Sequence, residues 1–314
     1  LHRSVIETTV LGFVLLVIDI IAGGWISSVP AIADVFTLNA KELVIALVIY
    51  SFAAAALPHW LLVTPRDYLS TLMKIGTLVL LVLGILIANP SVQMPALTEF
   101  ASTSTGPTFA GDLFPFLFIT IACGALSGFH GAVSSGLTPK AVEKENQIRM
   151  IGYGSMLVES FTAVIALIAA ITISQGVYFS TNMSASQIST ASGVTLTATS
   201  TPDEQAEAAV KAVDSMKVSD IEGNQMKVTW DSVDENGNAK TYEGADALKQ
   251  AASDIGENTI VSRTGGATTF AMGMADFLKS YLGGHDSMAF WYHFAIMFEA
   301  LFILTTVDNG TRVA

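Results

Sequence analysis

Long apolar stretches constrain this chain of 314 residues more than any other feature. A helix needs about 20 apolar residues to cross the roughly 30 Å hydrocarbon core of a bilayer. By that measure we predict an all-α polytopic membrane protein with about six transmembrane helices. Their expected positions are residues 8–26, 43–63, 68–88, 113–133, 151–173 and 288–307. The fourth is expected to be broken, because Pro115 and the glycines at 124, 128 and 131 interrupt it.

Composition excludes the common soluble classes. Apolar residues make up 51% of the chain and charged residues only 13%, against about 25% charged in an ordinary soluble domain. A net charge of −12 argues against nucleic acid as a partner. Cys123 is the single cysteine, so neither an intramolecular disulfide nor a cysteine metal cluster can form. We therefore expect the lipid bilayer to be a principal partner.

The basic residues alternate between successive connections. Two connections, 27–40 and 89–112, contain no Lys or Arg. Because basic loops stay in the cytoplasm, the alternation supports six helices with the basic connections inside. The residues concerned are Arg3, Arg66, Lys140, Lys144, Arg149 and Arg312.

One connection is acidic and different in kind. Residues 180–287 carry seven basic and fifteen acidic side chains, a net charge of −8. The first third reads as a Ser/Thr-rich linker. Thr201 and Pro202 then predict a helix to about residue 216, and Asn236-Gly237 predicts a β-hairpin between strands at 226–230 and 240–242. With a short helix at 245–253, this is a small α+β insert that we expect outside the membrane, more as a decoration than as a substrate-binding domain.

Ionisable side chains within the predicted helices are candidates for proton coupling. A charge at a helix centre costs roughly 2.5–3.5 kcal/mol, so such groups usually face a cavity or a partner. Glu159, His293, Glu299 and Asp308 meet this description. Interhelical hydrogen bonding is the structural alternative for His293 and Glu299.

The broken fourth helix is the candidate binding site. Gly124 and Gly128 at i,i+4 allow close helix packing, whereas an unwound helix at this depth would hold a small anion on its freed backbone groups. The residues alone leave both interpretations open. In the second, the substrate would contact Ser127, Gly128, Phe129, His130, Ser134, Ser135 and Thr138.

Enzyme motifs are missing from the sequence. There is no G-x-x-x-x-G-K-[ST] loop, no zinc-type His-Glu-x-x-His spacing and no G-x-S-x-G elbow. The sequence therefore favours neither an enzyme nor a metal site, and we expect no cofactor.

Several longer strings resemble the carbon starvation protein A family of inner-membrane transporters. Together they cover nearly all of the chain outside about 180–255. Leu137 departs from a threonine in the family pattern, and Asn309 from a more usual alanine. The matching strings are PRDYLST (65–71), FPFLFITIACG (114–124), SGFH (127–130), SSG (134–136), TPK (138–140), IGYGSMLVES (151–160), RTGG (263–266) and FWYHFAIMFEALFILTTVD (290–308).

The resemblance implies proton-coupled uptake of pyruvate or short peptides during carbon starvation, in the cell inner membrane. It also implies a distant relation to transporters with inverted repeats, and further helices of a longer chain as partners. In that setting we expect Arg66, Asp67 and Lys140 to form a cytoplasmic gate or anchor. The competing hypothesis is a membrane-embedded nutrient sensor that binds its ligand on the insert.

Three regions follow from these expectations. Residues 1–175 hold transmembrane helices one to five, and residues 176–262 form the acidic extracytoplasmic insert. Residues 263–314 contain a re-entrant or amphipathic segment and the sixth transmembrane helix.

Overall fold

A computed structural model describes residues 5–58, 60–61, 63–103, 105–108, 111–126, 128–234 and 236–313. Within these ranges the chain is mostly helical, with a single antiparallel pair of strands. The helices are α1 Val5–Ser28, α2 Pro30–Phe36, α3 Ala40–Ala56, α4 Val63–Ala88, α5 Leu113–Leu126, α6 Gly128–Ala141, α7 Glu145–Arg149, α8 Ser155–Ile171, α9 Gln175–Asn182, α10 Ala185–Ser192, α11 Pro202–Ser215, α12 Gly244–Asp254, α13 Ala267–Lys279 and α14 Met288–Val313. The strands are β1 Thr229–Val233 and β2 Ala239–Glu243, and a short π-helical turn, Met150–Gly154, precedes α8.

Four helical segments of the described residues are long and apolar enough to cross a membrane. They are Thr9–Ile26, Arg66–Ala88, Glu145–Ile171 and His285–Arg312. A fifth is reached if α5 and α6, which are separate helices on either side of residue 127, count as one broken span. Large apolar side chains remain exposed along these helices, for example Phe13, Ile119 and Leu167, as lipid-facing surfaces require.

The predicted second span at 43–63 is not among these segments. Helix α3 begins with a complete capping box, in which Asn39 and Glu42 satisfy each other's backbone amides. It ends at Ala56 after 17 residues, just before Pro58, because a residue preceding proline disfavours the helical conformation. Six spans and an inverted repeat therefore remain predictions.

The chain divides into two compact units. The first consists of residues 1–79, 128–155 and 297–314. Its helices α1 and α4 meet where the Thr9 and Tyr68 hydroxyls share a hydrogen bond of 2.8 Å. One turn further along α1, a Cβ on Gly12 would lie 2.3 Å from a terminal methyl of Leu69, so the absence of a side chain permits this contact.

The second unit comprises residues 80–127 and 156–296 and holds the larger core. Helix α13 is buried along most of its length. Two glycines allow backbone to approach backbone: a Cβ on Gly176 would lie 2.3 Å from the Lys227 carbonyl oxygen, and one on Gly273 would lie 2.4 Å from that of Ala169. Only glycine fits such distances without displacing a neighbouring main chain.

The predicted helices and hairpin of the insert are present, but the first strand lies at Thr229–Val233 rather than at the predicted 226–230. Helix α11 begins at Pro202, with Thr201 as N-cap in a capping box with Glu204. Strands β1 and β2 pair antiparallel on either side of Gly237, whose φ is +80°. Helix α12 covers the predicted 245–253 segment.

The prediction of a Ser/Thr-rich linker at the start of the insert is wrong up to residue 192, because α9 and α10 lie there, whereas residues 193–201 form neither helix nor strand. Ser174 and Ser184 cap these helices, and Ser180 and Ser189 donate to carbonyls one turn earlier. Ile188 is fully buried. The hydroxyls that favoured a linker are thus absorbed into short helices fixed by tertiary packing, which routinely outweighs local propensity.

Candidate functional site

A buried ion pair joins α4 and α14 in the first unit. Arg66 Nη1 lies 2.6 Å from Asp308 Oδ2, and the Asp308 side chain is 0% exposed. Tyr50 donates a hydrogen bond of 3.2 Å to the same carboxylate oxygen, and Arg66 also donates to the Tyr50 hydroxyl. Asp67, which is 30% exposed, holds Arg66 Nη2 at 3.1 Å. The predicted gate residues Arg66 and Asp67 are therefore brought together with Asp308, one of the predicted proton carriers.

Arg312 extends this cluster to α3. Its Nη2 donates to the carbonyl oxygens of Ala54 at 2.5 Å and Leu57 at 2.7 Å. The last carbonyls of a helix have no partner within it, so a guanidinium there stabilises the helix end both by hydrogen bonding and through the helix dipole. Three helices of the unit are held together by these charges.

A polar stripe continues along α4 from this cluster. Ser70, Lys74 and Thr77 follow at spacings of four and three residues, which place them on one face of a helix. Ser70 and Thr77 are buried, and neither hydroxyl has a hydrogen-bond partner among the described residues. The stripe lies inside the membrane-length segment Arg66–Ala88.

Lys74 is the centre of a second group of side chains. Its ammonium lies 4.7 Å from the ring centroid of Phe302, a cation–π distance. Glu299, one turn before Phe302 on α14, is close enough to Lys74 for a Coulombic attraction. His130 of α6 meets the same Phe302 ring edge to face at 5.5 Å. Two of the predicted site residues, His130 and Glu299, are thereby brought together around a cation and an aromatic ring.

The other predicted substrate residues are distributed along α6. Ser134 and Ser135 donate to the carbonyls of Gly131 and Ala132 in their own helix, at 3.2 and 2.6 Å. Gly128 begins the helix, and Phe129 stacks edge to face on His130 at 5.7 Å. Thr138 is half-buried and Lys140 is exposed. Ser127 lies outside the described residues.

Glu159 lies in the second unit on α8. Its Oε1 accepts a hydrogen bond of 3.0 Å from the Cys123 thiol of α5. Next to it, Ser160 donates to the Ala125 carbonyl, and a Cβ on Gly124 would come within 2.9 Å of Ala163 Cβ. Gly124 therefore allows α5 and α8 to pack closely, which is the packing interpretation that the sequence left open for this glycine.

His293 is exposed and bonds within its own helix. Its Nδ1–H donates to the Ala289 carbonyl at 2.8 Å, and its ring packs edge to face on Tyr292 at 5.2 Å.

A buried carboxylate organises the insert. Asp254 is 3% exposed and accepts hydrogen bonds of 2.7 Å from both Trp230 Nε1 and Gln250 Nε2. His285 Nε2 lies 3.2 Å from Asp254 Oδ1 and 3.3 Å from Ser232 Oγ. A hydrolase triad needs the two ring nitrogens of its histidine for different partners, whereas here one nitrogen faces both. The group is a structural network.

Lys74, Tyr50 and Arg312 were not among the predicted site residues. Lys74 could have been found from the sequence, because it lies six residues inside the predicted third span. An ionisable side chain inside a predicted span was the criterion that selected the proton-coupling candidates. Tyr50 and Arg312 had none, since their roles depend on contacts 258 residues distant in sequence.

Membrane-length helices with charges paired between them define a multi-pass membrane protein. The whole chain, residues 1–314, matches the family described as carbon starvation protein CstA. The chain belongs to the CstA family, as its sequence motifs predicted.

The curated relatives of this chain are named either as peptide transporters or as a pyruvate/proton symporter. The peptide transporter CstA of Mycobacterium tuberculosis strain H37Rv is 48% identical over 98% of this chain and 36% of its own length. The Escherichia coli K12 peptide transporter CstA is 50% identical over 94% and 37%. The pyruvate/proton symporter BtsT of the same strain is 43% identical over 98% and 40%.

The chain thus spans about two fifths of the length of these relatives. No solved structure is significantly similar to it.

Proposed function

We propose that this chain is part of a secondary active transporter of the cell inner membrane that imports a small carboxylate, pyruvate, or short peptides with protons during carbon starvation. The observation that carries the proposal is the set of paired charges between α4 and α14, within two segments of membrane-spanning length. A helix pair with a purely structural role does not need buried charges, because apolar side chains of similar volume often stabilise the folded state as much or more. Ionisable groups that pair with one another within membrane-length segments are typical of substrate and proton pathways.

The names of the relatives support the same proposed transport function. Two of those described above are named peptide transporters and one a pyruvate/proton symporter. Both substrate types present a carboxylate, which a cation within the span can bind. The remaining helices of the longer protein and the bilayer are the expected structural partners.

Roles follow for the predicted residues. The segment from Ser127 to His130, with the hydroxyls of α6, contacts the substrate. Glu159, His293, Glu299 and Asp308 are the candidates to carry the proton. Arg66, Asp67 and Lys140 act at the cytoplasmic end as a gate or anchor.

Uptake by the full-length protein tests the proposal. The protein is expressed in cells that lack their own pyruvate carriers, and labelled pyruvate uptake is followed with and without an uncoupler. Excess unlabelled dipeptide serves as competitor. Uptake that the uncoupler abolishes and that dipeptides leave unchanged would identify a proton–pyruvate symporter.

Competition by dipeptides, or uptake of labelled peptides only, would instead assign peptides as the substrate. If neither compound enters the cells above the level of an empty vector, transport is refuted and a sensor role becomes the better explanation.

A further inference from the structure

Lys74 occupies an unusual position among the charges of the first unit. Arg66 and Arg312 have fixed partners at hydrogen-bond distance: Asp308 and Asp67 for the first, two helix-end carbonyls for the second. Lys74 instead has an aromatic ring at 4.7 Å, and two carboxylates attract it: Asp67, the stronger, which is also paired with Arg66, and Glu299. Its positive charge is balanced, but its ammonium is not held by a short ion pair among the described residues.

The charges that act on Lys74 lie on α4 and α14. On α4 itself, Arg66 and Asp67 lie two turns away and are paired with each other at 3.1 Å. Helix α14 contributes Glu299, and Asp308 is committed to Arg66. Helix α6 contributes His130 across the shared Phe302 ring. Among the described residues, the carboxylates that attract Lys74 are thus Asp67, which it shares with Arg66, and Glu299, whose Coulombic partner is Lys74.

We propose that Lys74 binds the carboxylate of the transported substrate, and that Glu299 is the internal carboxylate which the substrate displaces and which takes up a proton when displaced. This inference rests on the proposed transport function and names the chemistry of its binding site. No bond within the substrate changes. One proton passes from the external medium to a Glu299 carboxylate oxygen for each carboxylate bound, so the site keeps its net charge.

The coupling follows from charge neutrality within the span. A substrate carboxylate that arrives without a proton leaves two anions competing for one ammonium. A proton that arrives without substrate neutralises Glu299 and leaves Lys74 unpaired. Both states place an uncompensated charge inside a membrane segment, which is the costly condition. The favoured states carry both ligands or neither, and this is the requirement for symport.

The same geometry sets the ligand class. The substrate must carry a carboxylate, which pyruvate and the C-terminus of a short peptide share. The Phe302 face beside the ammonium provides an apolar wall against which a small organic group can pack. Uncharged analogues should be rejected, because they cannot replace Glu299 as the counterion of Lys74.

Calorimetry on the purified full-length protein tests the exchange directly. Pyruvate binding is measured in buffers of different ionisation enthalpy, which reports the protons taken up per pyruvate bound. We expect about one proton for the unmodified protein and for the exposed-site control Glu143→Gln, and none for Glu299→Gln, because the amide cannot take a proton.

Lys74→Gln tests the other half of the pair. It should weaken pyruvate binding roughly 10- to 100-fold, equivalent to about 1.4–2.8 kcal/mol at 1.4 kcal/mol per factor of ten. Lys74→Arg, which keeps the charge with a different geometry, should restore a substantial part of the affinity. Lys41→Gln, which removes an exposed lysine of α3, should change nothing. If Lys74→Gln does not fold, the proton count of Glu299→Gln decides.

Several results would overturn the inference while leaving transport intact. They are unchanged affinity in folded Lys74→Gln, pyruvate binding by the unmodified protein without proton uptake, or an unaltered proton count in Glu299→Gln. If pyruvate is not bound at all, dialanine and its C-terminal amide are compared. Binding of the acid alone supports the role of Lys74, whereas equal binding of both overturns it. If labelled pyruvate and dialanine both fail to enter, the proposed function itself falls, and this inference with it.

Discussion

Replacing Asp308 by asparagine is the sharpest test of the charge cluster between α4 and α14. The change keeps the size of the side chain and removes its charge. Asp308 Oδ2 accepts from both Arg66 and Tyr50, and the side chain is fully buried. The substitution therefore leaves the Arg66 guanidinium, itself only 16% exposed, without its closest counterion.

The expected size of the effect comes from burial. Removing one partner of a buried ion pair costs about 3–5 kcal/mol. Asp67 still contacts Arg66 at 3.1 Å, so we expect the lower end, about 3 kcal/mol. Asp67→Asn is the matched control: the same arginine loses a carboxylate that is 30% exposed, and such a pair contributes at most about 1 kcal/mol.

The assay compares the thermal midpoints of the full-length variants in one detergent. Asp308→Asn should lower the midpoint about three times as much as Asp67→Asn does. Combining Asp308→Asn with Arg66→Gln should destabilise less than the sum of the two single changes, because the double variant buries no unpaired charge. Equal shifts for Asp308→Asn and Asp67→Asn, or strict additivity in the double variant, would refute the argument.

Three further predictions concern the second unit. Asp254→Ala should lower the free energy of unfolding by about 2–5 kcal/mol, since three buried or half-buried donors lose their acceptor; a change below about 1 kcal/mol in a denaturant titration would contradict the network. Gly176→Ala should lower the free energy of unfolding by about 1–3 kcal/mol, because its methyl group meets main-chain atoms that cannot rotate away; a thermal midpoint equal to that of the unmodified protein would contradict this close contact. The backbone amide of Asn238 is the main cause that lowers the pKa of Asp234. A lowered pKa in the folded state adds stability at neutral pH that is lost as the pH falls below about 4, so the stability difference between the unmodified protein and Asp234→Asn should shrink from pH 7 to pH 3, and a constant difference would contradict this origin.

Local signals in the sequence were sufficient for the elements of the insert. Thr201 followed by Pro202 predicts a capped helix start, and Asn236-Gly237 predicts a β-hairpin; the structure has both, with residues 234–238 connecting the strands. Each signal works because the chemistry is contained within a few residues. The Ser/Thr-rich start of the insert misled for the opposite reason: its hydroxyls cap short helices, and those helices exist because Ile188 and its neighbours find a distant core.

Hydropathy located most of the long helices. It did not predict which face of each helix packs against a neighbour or which side chains meet there. It identified the segments now seen as α1, α4, α8 and α14 to within a few residues at most ends. It could not say that the Lys74 ammonium lies over the Phe302 ring, since 228 positions separate the two residues and no local pattern links them. Site residues that act through such contacts become visible only when the helices are placed together.

The two charge pairings also fix the direction of α4 against α14. Arg66 pairs with Asp308, and Lys74, eight residues further along α4, is attracted to Glu299, nine residues earlier on α14. At 1.5 Å per residue these steps are about 12 and 13.5 Å, so the two helices run antiparallel with closely matched spacing. Antiparallel spans place Arg66 and Arg312 at the same membrane face. The alternation of basic connections predicts independently that both arginines lie on one side, the cytoplasmic one, so the antiparallel arrangement agrees with that prediction. Lys74 and Glu299 then lie deeper in the same helix pair, where an incoming carboxylate would have to compete with Glu299 for the single ammonium.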